Sequence, residues 1–131
     1  MKYKRKLYDA TKINDFRDLV NRYTSLYSNK VAFEYKVSPD AKEHVTITYS
    51  KFASDIKALG TALLNLGLNQ KRVAIIAPNR YEWCLSYLAV TTSGIVVVPL
   101  DRALPDNEIE DLIIRSKAEA VIFDKKYANI F

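Results

Sequence analysis

The segment RVAIIAPNRYEW, residues 72–83, combines an apolar strand pattern with a turn and the start of a helix. Many phosphate-binding turns have this order of elements, because backbone N–H groups at a helix N-terminus bind the anion. Such turns need glycine, since a backbone without Cβ lets several N–H groups approach the phosphate closely. The turn at 77–80 is Ala-Pro-Asn-Arg and has no glycine. We therefore predict that it binds no phosphate by itself.

The same turn has a structural interpretation as a helix start. Pro78 ends the strand, and the side chain of Asn79 can cap the helix that follows. Glu82 lies three residues later, where it can accept from the Asn79 N–H as in a capping box. A cap of this kind stabilises a helix by about 1 kcal/mol.

His44 and Cys84 are each the only residue of their type. His44 lies beside a predicted hairpin loop with no second imidazole or thiolate nearby, so a surface residue is favoured over a metal ligand or a general base. Cys84 has no partner for an internal disulfide, and it lies among Trp83, Leu85 and Leu88. We predict that it is a buried structural thiol.

A short acidic run has a spacing that could supply paired carboxylates or magnesium ligands: Asp106, Glu108, Glu110 and Asp111. However, Ile109, Leu112 and Ile113 form the inward stripe of the same predicted helix, and the helix dipole favours acids in the first turn. A solvated helix start is predicted. Enzymes must lower a barrier by about 8 kcal/mol or more. Nothing here offers charged groups pre-positioned for that, so we predict no catalytic, cofactor-binding or metal-ligating residue in this chain.

The charge distribution separates a basic tail from a nearly neutral body. The formal net charge is +5, of which +4 falls on residues 1–12. Nucleic-acid binding needs a basic face with stacking aromatics, so no nucleic-acid partner is predicted. We assign residues 1–13 as a basic N-terminal tail, with a weak contact to a membrane surface as one alternative. Neither a secretory signal nor a membrane span is predicted, and a cytoplasmic location is expected.

Hydrophobic periodicity predicts the first elements along the chain. A helix begins at Asn14 and ends by Asn29, with one buried stripe: Phe16, Leu19, Val20, Tyr23, Leu26 and Tyr27. VAFEYKV and HVTITY then alternate, which predicts an antiparallel hairpin with these residues inward: Val31, Phe33, Tyr35, Val37, Val45, Ile47 and Tyr49. Ser50 is the predicted N-cap of a second helix with this buried face: Phe52, Ile56, Leu59, Leu63 and Leu66. Gly67 is its predicted stop, with Leu68 placed to close the helix end. Gly60 is expected to mark close helix packing.

Three segments with little polar alternation follow: RVAIIA, IVVVPL and AVIF. Helical patterns at 80–93 and at about 105–117 separate them. Strands that are apolar on both faces and spaced by helices predict a parallel sheet with helices on both faces, joined by right-handed crossovers. The predicted fold class is therefore α/β: an N-terminal helix and an antiparallel hairpin, followed by a βαβαβ parallel-sheet unit.

The order of these segments resembles a known family. ITYSKFASDIKALGTALLNLGL, then RVAIIAPNRYEWCLSYLAVTTSGIVVVPLD, then LPDNEIEDLIIRSKAEAVIF is similar to the N-terminal part of the adenylate-forming (AMP-binding) ligases, most like long-chain fatty acyl-CoA synthetases. The resemblance runs from about Asn14 to Phe123. It implies that residues 14–131 are the N-terminal α/β subdomain fragment of a parent enzyme several times longer.

The resemblance also implies the parent's chemistry and partners. Such a ligase joins a fatty acid to AMP and then to coenzyme A, and it uses ATP and Mg²⁺. The family's phosphate loop, adenine-binding segments and magnesium-binding Glu lie beyond the matched region, so no functional residue carries over. The fragment is expected to be inactive scaffold whose partner is the remainder of the parent, and to self-associate as a dimer through uncovered apolar faces. The alternative is a stand-alone small α/β module that binds a partner protein or a nucleotide.

Overall fold

The computed structural model of the chain describes residues 11–131, so most of the predicted basic tail lies outside the described residues. Four α-helices and five strands occur in this described part, in the order α1 Phe16–Tyr27, β1 Val31–Tyr35, β2 Val45–Thr48, α2 Tyr49–Asn65, β3 Arg72–Ile76, α3 Tyr81–Thr92, β4 Val96–Pro99, α4 Asp106–Ser116 and β5 Ala120–Phe123. A short 3-10 turn, Lys125–Tyr127, follows β5.

The predicted parallel sheet is confirmed. Its strand order is β4-β3-β5, and β3 pairs in parallel with both neighbours. The central strand is the most buried segment, because these four residues are each 0% exposed: Val73, Ala74, Ile75 and Ile76. A strand covered on both faces can be apolar at every position, which explains the lack of polar alternation in RVAIIA.

The helices cover both faces of the sheet, as predicted. Val73 and Ile75 pack on one face in a cluster with Leu63 of α2 and Val90 of α3. Ile76 points to the other face and packs with Ile109 of α4. The chain passes from β3 outward to β4 and then back across to β5. Because this direction reverses, two crossovers of the same hand place α3 and α4 on opposite faces.

The predicted hairpin is present, with an antiparallel β1–β2 pair. Phe33 and Tyr35 are half-buried as predicted, whereas Val31 is 51% and Val37 79% exposed, so their inward placement was wrong. The register shifts between Val31 and Phe33, and Val37 lies past the end of β1, so strict alternation fails at both ends. Tyr49 does not end the strand but begins α2.

The ends of α2 correct one prediction and confirm another. The N-cap is Thr48 and not Ser50, because β2 runs directly into the helix and the Thr48 side chain accepts from the Lys51 N–H at 3.2 Å. At the other end Gly67 has φ +79°. The Leu68 N–H donates to the Leu63 carbonyl at 3.3 Å, which closes the helix as expected. Leu66 is 74% exposed, so its predicted burial was wrong.

Helix α1 is less buried than its amphipathic pattern suggested. It begins at Phe16, where the Asp15 carboxylate accepts from the Asp18 N–H at 2.8 Å, and not at Asn14. None of its residues is buried, and Leu26 is 63% exposed. Its apolar stripe faces α2 and α3 at the margin of the domain, where neighbours cover only part of it. The predicted burial of this stripe was therefore wrong in extent.

Candidate functional site

Ligand sites of parallel sheets lie at the carboxyl edge, where loops leave the strands. Here the loop after β3 ends at Arg80, and Asp124 directly follows β5. Because β3 and β5 are parallel neighbours, these residues meet, with Arg80 Nη1 at 3.5 Å from Asp124 Oδ2. This edge is the place where the fold would present groups for chemistry.

Arg80 is held mainly by its own helix. Its Nε donates to Glu82 Oε2 at 2.6 Å and its Nη2 donates to Glu82 Oε1 at 2.9 Å, a bidentate pair. The Glu82 hydrogen bonds raise the pKa of Arg80, and the same bonds lower the pKa of Glu82. Both side chains are half exposed, so the pair contributes little to stability. Its effect is that the guanidinium charge is already neutralised.

The predicted capping box at this helix start was wrong. Arg80, and not Asn79, occupies the N-cap position, and α3 has no side-chain cap hydrogen bond. The Glu82 carboxylate, which was expected to accept from the Asn79 N–H, binds the guanidinium. A charged, two-point partner is stronger than a single backbone N–H, and this preference decides the geometry.

A cavity of about 220 Å³ lies at this edge beside Trp83. Its charged lining consists of two cations and two anions: Arg80, Glu82, Asp124 and Lys125. Because these charges cancel, the cavity carries no excess field that would hold a phosphate or a metal ion. Among residues 11–131, no three His, Cys, Asp or Glu side chains gather where they could hold a metal.

On the other side of the α3 start, Tyr81 links the hairpin to α2. Its hydroxyl donates to Asp55 Oδ2 at 2.6 Å, and Lys51 also binds Asp55. The pKa of Asp55 is lowered, mainly by the hydrogen bond from Lys51 and then by the one from Tyr81. The pKa of Tyr81 is raised, mainly by burial and then by the hydrogen bond to Asp55. The Phe33 and Phe52 rings lie 5.2 Å and 5.7 Å from the Tyr81 ring. The Tyr81 side chain therefore anchors the hairpin, and its hydroxyl stays protonated.

We expect Tyr81→Phe to lower the free energy of unfolding by about 1 kcal/mol, because a partly exposed hydrogen bond to a carboxylate is lost. Tyr35→Phe is the matched control, since the Tyr35 ring stacks on Tyr81 but its hydroxyl makes no hydrogen bond within residues 11–131. Urea unfolding of both variants measures the difference. Equal losses would contradict this role of the hydroxyl.

The Tyr81 effect also has a pH dependence. The pKa of Asp55 is lowered in the folded state, so its contribution to stability is complete above the ordinary value of 3.8 and is lost as the pH falls through the folded pKa. The difference between Tyr81→Phe and the parent chain should therefore shrink below pH 3.8. Repeating the urea titrations at low and neutral pH checks this.

His44 and Gly60 do not line the cavity at the carboxyl edge, whereas Cys84 lines a neighbouring cavity together with Arg80. His44 is exposed, as predicted, with Nδ1 at 2.7 Å from Glu34 Oε1. Cys84 is half-buried, so the predicted burial of this thiol holds only in part. It lies where α3 faces the hairpin, and burial raises the pKa of its thiol. A Cβ on Gly60 would overlap Ser93 Oγ, which confirms the predicted close helix packing.

The acidic run begins α4, as predicted. Asp106 and Glu108 lie in the first turn, and Ile109 of the same helix is 0% exposed. Asp111 accepts from Arg115 at 3.2 Å on the exposed face. These carboxylates therefore belong to a solvated helix surface. The sequence analysis did not predict the ion pair of Arg80 with Asp124. The sequence could have indicated it, because both residues follow strands of one predicted parallel sheet.

Within residues 11–131, no helix has both the length and the hydropathy needed to cross a membrane.

Comparisons with known proteins give a consistent result. The model of a family described as "AMP-binding enzyme" matches residues 21–130. A mitochondrial medium-chain acyl-CoA ligase of Macaca fascicularis is 27% identical over 89 residues, which cover 67% of this chain and 14% of that protein. A 4-hydroxybutyrate–CoA ligase of Metallosphaera sedula is 27% identical over 111 residues, which cover 84% of this chain and 19% of that protein.

The fold comparison agrees with the sequence comparison. A solved fatty acyl-CoA synthetase structure from Mycobacterium tuberculosis matches with a TM-score of 0.74 and 21% identity, over 88% of this chain and 22% of that one. The chain thus spans between 14% and 22% of the length of these relatives.

Proposed function

The chain belongs to the family of AMP-binding enzymes, and on that premise we propose that it forms the N-terminal segment of an ATP-dependent, AMP-forming acyl-CoA ligase. In the proposed reaction a fatty acid carboxylate attacks the α-phosphate of ATP, which gives an acyl adenylate and pyrophosphate. The thiol of coenzyme A then takes the acyl group and AMP leaves. Long-chain fatty acids are the proposed substrates, with ATP, Mg²⁺ and coenzyme A as the parent's cofactors.

We further propose that residues 14–131 act as scaffold and are inactive alone. The observation that carries this proposal is the self-neutralised carboxyl edge, where Arg80 is bound by Glu82 and Asp124. The turn at 77–80 also lacks the glycines that close backbone approach to a phosphate requires. On this proposal the described residues hold neither ATP nor Mg²⁺, and none of them is assigned a step of the reaction.

The test compares the 131-residue chain with the full-length product of its gene. Pyrophosphate release is measured with saturated fatty acids from short to long chains, because the relatives' names include a medium-chain and a 4-hydroxybutyrate ligase. We expect turnover only from the full-length protein, fastest with long chains. Saturable ATP binding by the isolated chain, measured by calorimetry, would instead favour a nucleotide-binding module.

We expect the isolated chain to self-associate, with a dimer as the main species. Large apolar side chains are exposed at both outer strands and on neighbouring helices: Val96 51%, Phe123 41%, Leu66 74% and Ile114 74%. Exposed apolar surface favours association when nothing else covers it. Light scattering over a range of concentrations measures the mass, and a monomer at the highest concentration would contradict the prediction.

The cytoplasm is the proposed location, although the Macaca fascicularis relative is named as mitochondrial. Fractionation of cells that express the full-length protein tests this. Contact between the basic tail and membranes stays a prediction, and sedimentation with anionic vesicles at low and high salt tests it. Absent or salt-insensitive binding would contradict an electrostatic contact.

A further inference from the structure

A cavity of about 350 Å³ opens between α1, α2 and the C-terminal end of α3. It lies at the opposite end of α3 from Arg80 and is separate from the carboxyl edge of the sheet. Among residues 11–131, its charged lining consists of Arg17 and Lys57, and none of these described residues adds an acidic side chain to it. The cavities near the α3 start differ, because each contains Glu82 or Glu34 beside Arg80. The charge of this cavity therefore favours an anion.

The two cations are available to a ligand. Arg17 Nε donates to the Thr92 carbonyl oxygen at 2.5 Å, which fixes the guanidinium at the end of α3 and leaves its two terminal nitrogens for another acceptor. Within residues 11–131, neither Arg17 nor Lys57 forms an ion pair with a carboxylate. Thr61 also lines the cavity and adds a hydroxyl donor. A carboxylate or phosphate matches this set, since its oxygens accept from several donors at once.

The rest of the cavity has an apolar wall. Val20 of α1 lies opposite Ile56 and Leu64 of α2. Ile56 is 3% exposed and forms part of the core, whereas Leu64 is 41% exposed at the cavity mouth. A purely inorganic anion would leave the exposed parts of Leu64 and Val20 in water. A ligand with a short hydrocarbon tail would cover them and gain the free energy of that burial.

We propose that this cavity binds a small amphipathic anion, with its carboxylate or phosphate head on Arg17 and Lys57 and a short apolar tail against Val20, Ile56 and Leu64. The site goes beyond the proposed function, because the proposed reaction assigns no role to Arg17, Lys57 or the residues around them. A failure of one proposal therefore leaves the other in place. The head group alone does not decide between a carboxylate and a phosphate, so the probes include both.

The test uses the 131-residue chain and calorimetric titration with hexanoate and with hexyl phosphate. We expect at least one to bind with a dissociation constant of about 1 mM or tighter. Acetate and inorganic phosphate supply the head without the tail, and hexanol supplies the tail without the head. All three are expected to bind at least roughly tenfold more weakly. Preference for hexanoate or for hexyl phosphate then identifies the head group.

Matched variants locate the site. Thr61→Glu places an acid inside the cavity and should weaken binding by more than roughly tenfold. Ala62→Glu makes the same change in charge at the next exposed position of α2, outside the cavity lining, and should leave binding unchanged. Lys57→Gln should weaken binding by roughly tenfold. Thermal unfolding confirms that each variant folds. We expect Thr61→Glu to fold, because the new carboxylate lies four residues after Lys57 on the same helix and can pair with it.

Three results would overturn the proposal. The first is no detectable binding of either amphipathic probe to the folded chain. The second is binding that Thr61→Glu and Ala62→Glu weaken equally, since that would indicate a general effect of charge. The third is binding of acetate or inorganic phosphate as tight as that of the longer probes, because the apolar wall would then contribute nothing.

Discussion

Ile75→Ala is expected to lower the free energy of unfolding by about 2–5 kcal/mol. Ile75 lies in the central strand, is 0% exposed and is among the largest fully buried side chains. It packs in the cluster formed with Leu63 and Val90, so its truncation leaves a cavity between the sheet and two helices. Single domains are stable by only about 5–15 kcal/mol, and this one change removes a large part of that.

The matched control is Ile114→Ala. The same atoms are removed, but Ile114 is 74% exposed on α4, so the expected loss is below about 0.5 kcal/mol. Urea unfolding followed by circular dichroism measures both variants at equal protein concentration, because self-association would otherwise shift the midpoints. Similar losses in the two variants would mean that the central strand is not the centre of the core.

The elements that the sequence predicted well are those whose signal is local and strong. In RVAIIA the apolar run after Arg72 lies in β3, where a strand covered on both faces accepts an apolar residue at every position. Gly67 and Leu68 ended α2 as predicted, since a positive φ favours glycine. At the end of α4, Lys117 adopts φ +56° without any glycine, and no sequence signal marked it.

The wrong predictions arise where a group that the sequence pattern does not specify decides the local structure. Asn79 and Glu82 have the spacing of a capping box, but the Arg80 guanidinium offered Glu82 a stronger partner. Similarly, Thr48 replaced Ser50 as the N-cap because β2 continues without a loop into α2. The stripe of α1 had the right period, yet burial depends on how much of a helix its neighbours cover.

The candidate site also contains one contact that the sequence could predict and one that it could not. Arg80 and Asp124 both follow strands of the parallel sheet, so their proximity followed from a topology that the sequence predicted. The bond from Tyr81 to Asp55 joins residues 26 positions apart, through a helix packing that periodicity alone does not specify. Family membership adds that these groups belong to a segment spanning 14% of one relative's length.

Gly60→Leu is expected to lower the free energy of unfolding by about 1–3 kcal/mol, because overpacking forces neighbouring elements apart. Gly60 lies in α2 against the end of α3, where a Cβ would overlap Ser93 Oγ and lie 3.4 Å from the Ala89 carbonyl oxygen. The leucine side chain has no space there and would push the two helices apart. Leu64→Ala is a control on the same helix, since Leu64 is 41% exposed.

The Ser93→Ala background separates steric conflict from helix propensity. Alanine at position 93 removes the Oγ that a Cβ at position 60 would meet. In that background Gly60→Ala should raise stability by up to about 1 kcal/mol, since alanine is the better helix former. With Ser93 present, the overlap of the new Cβ with Ser93 Oγ offsets this gain. A double-mutant cycle should therefore show that Gly60→Ala changes the free energy of unfolding by different amounts in the two backgrounds. If the cycle gave no coupling, contact between Gly60 and Ser93 would not be what requires glycine in α2.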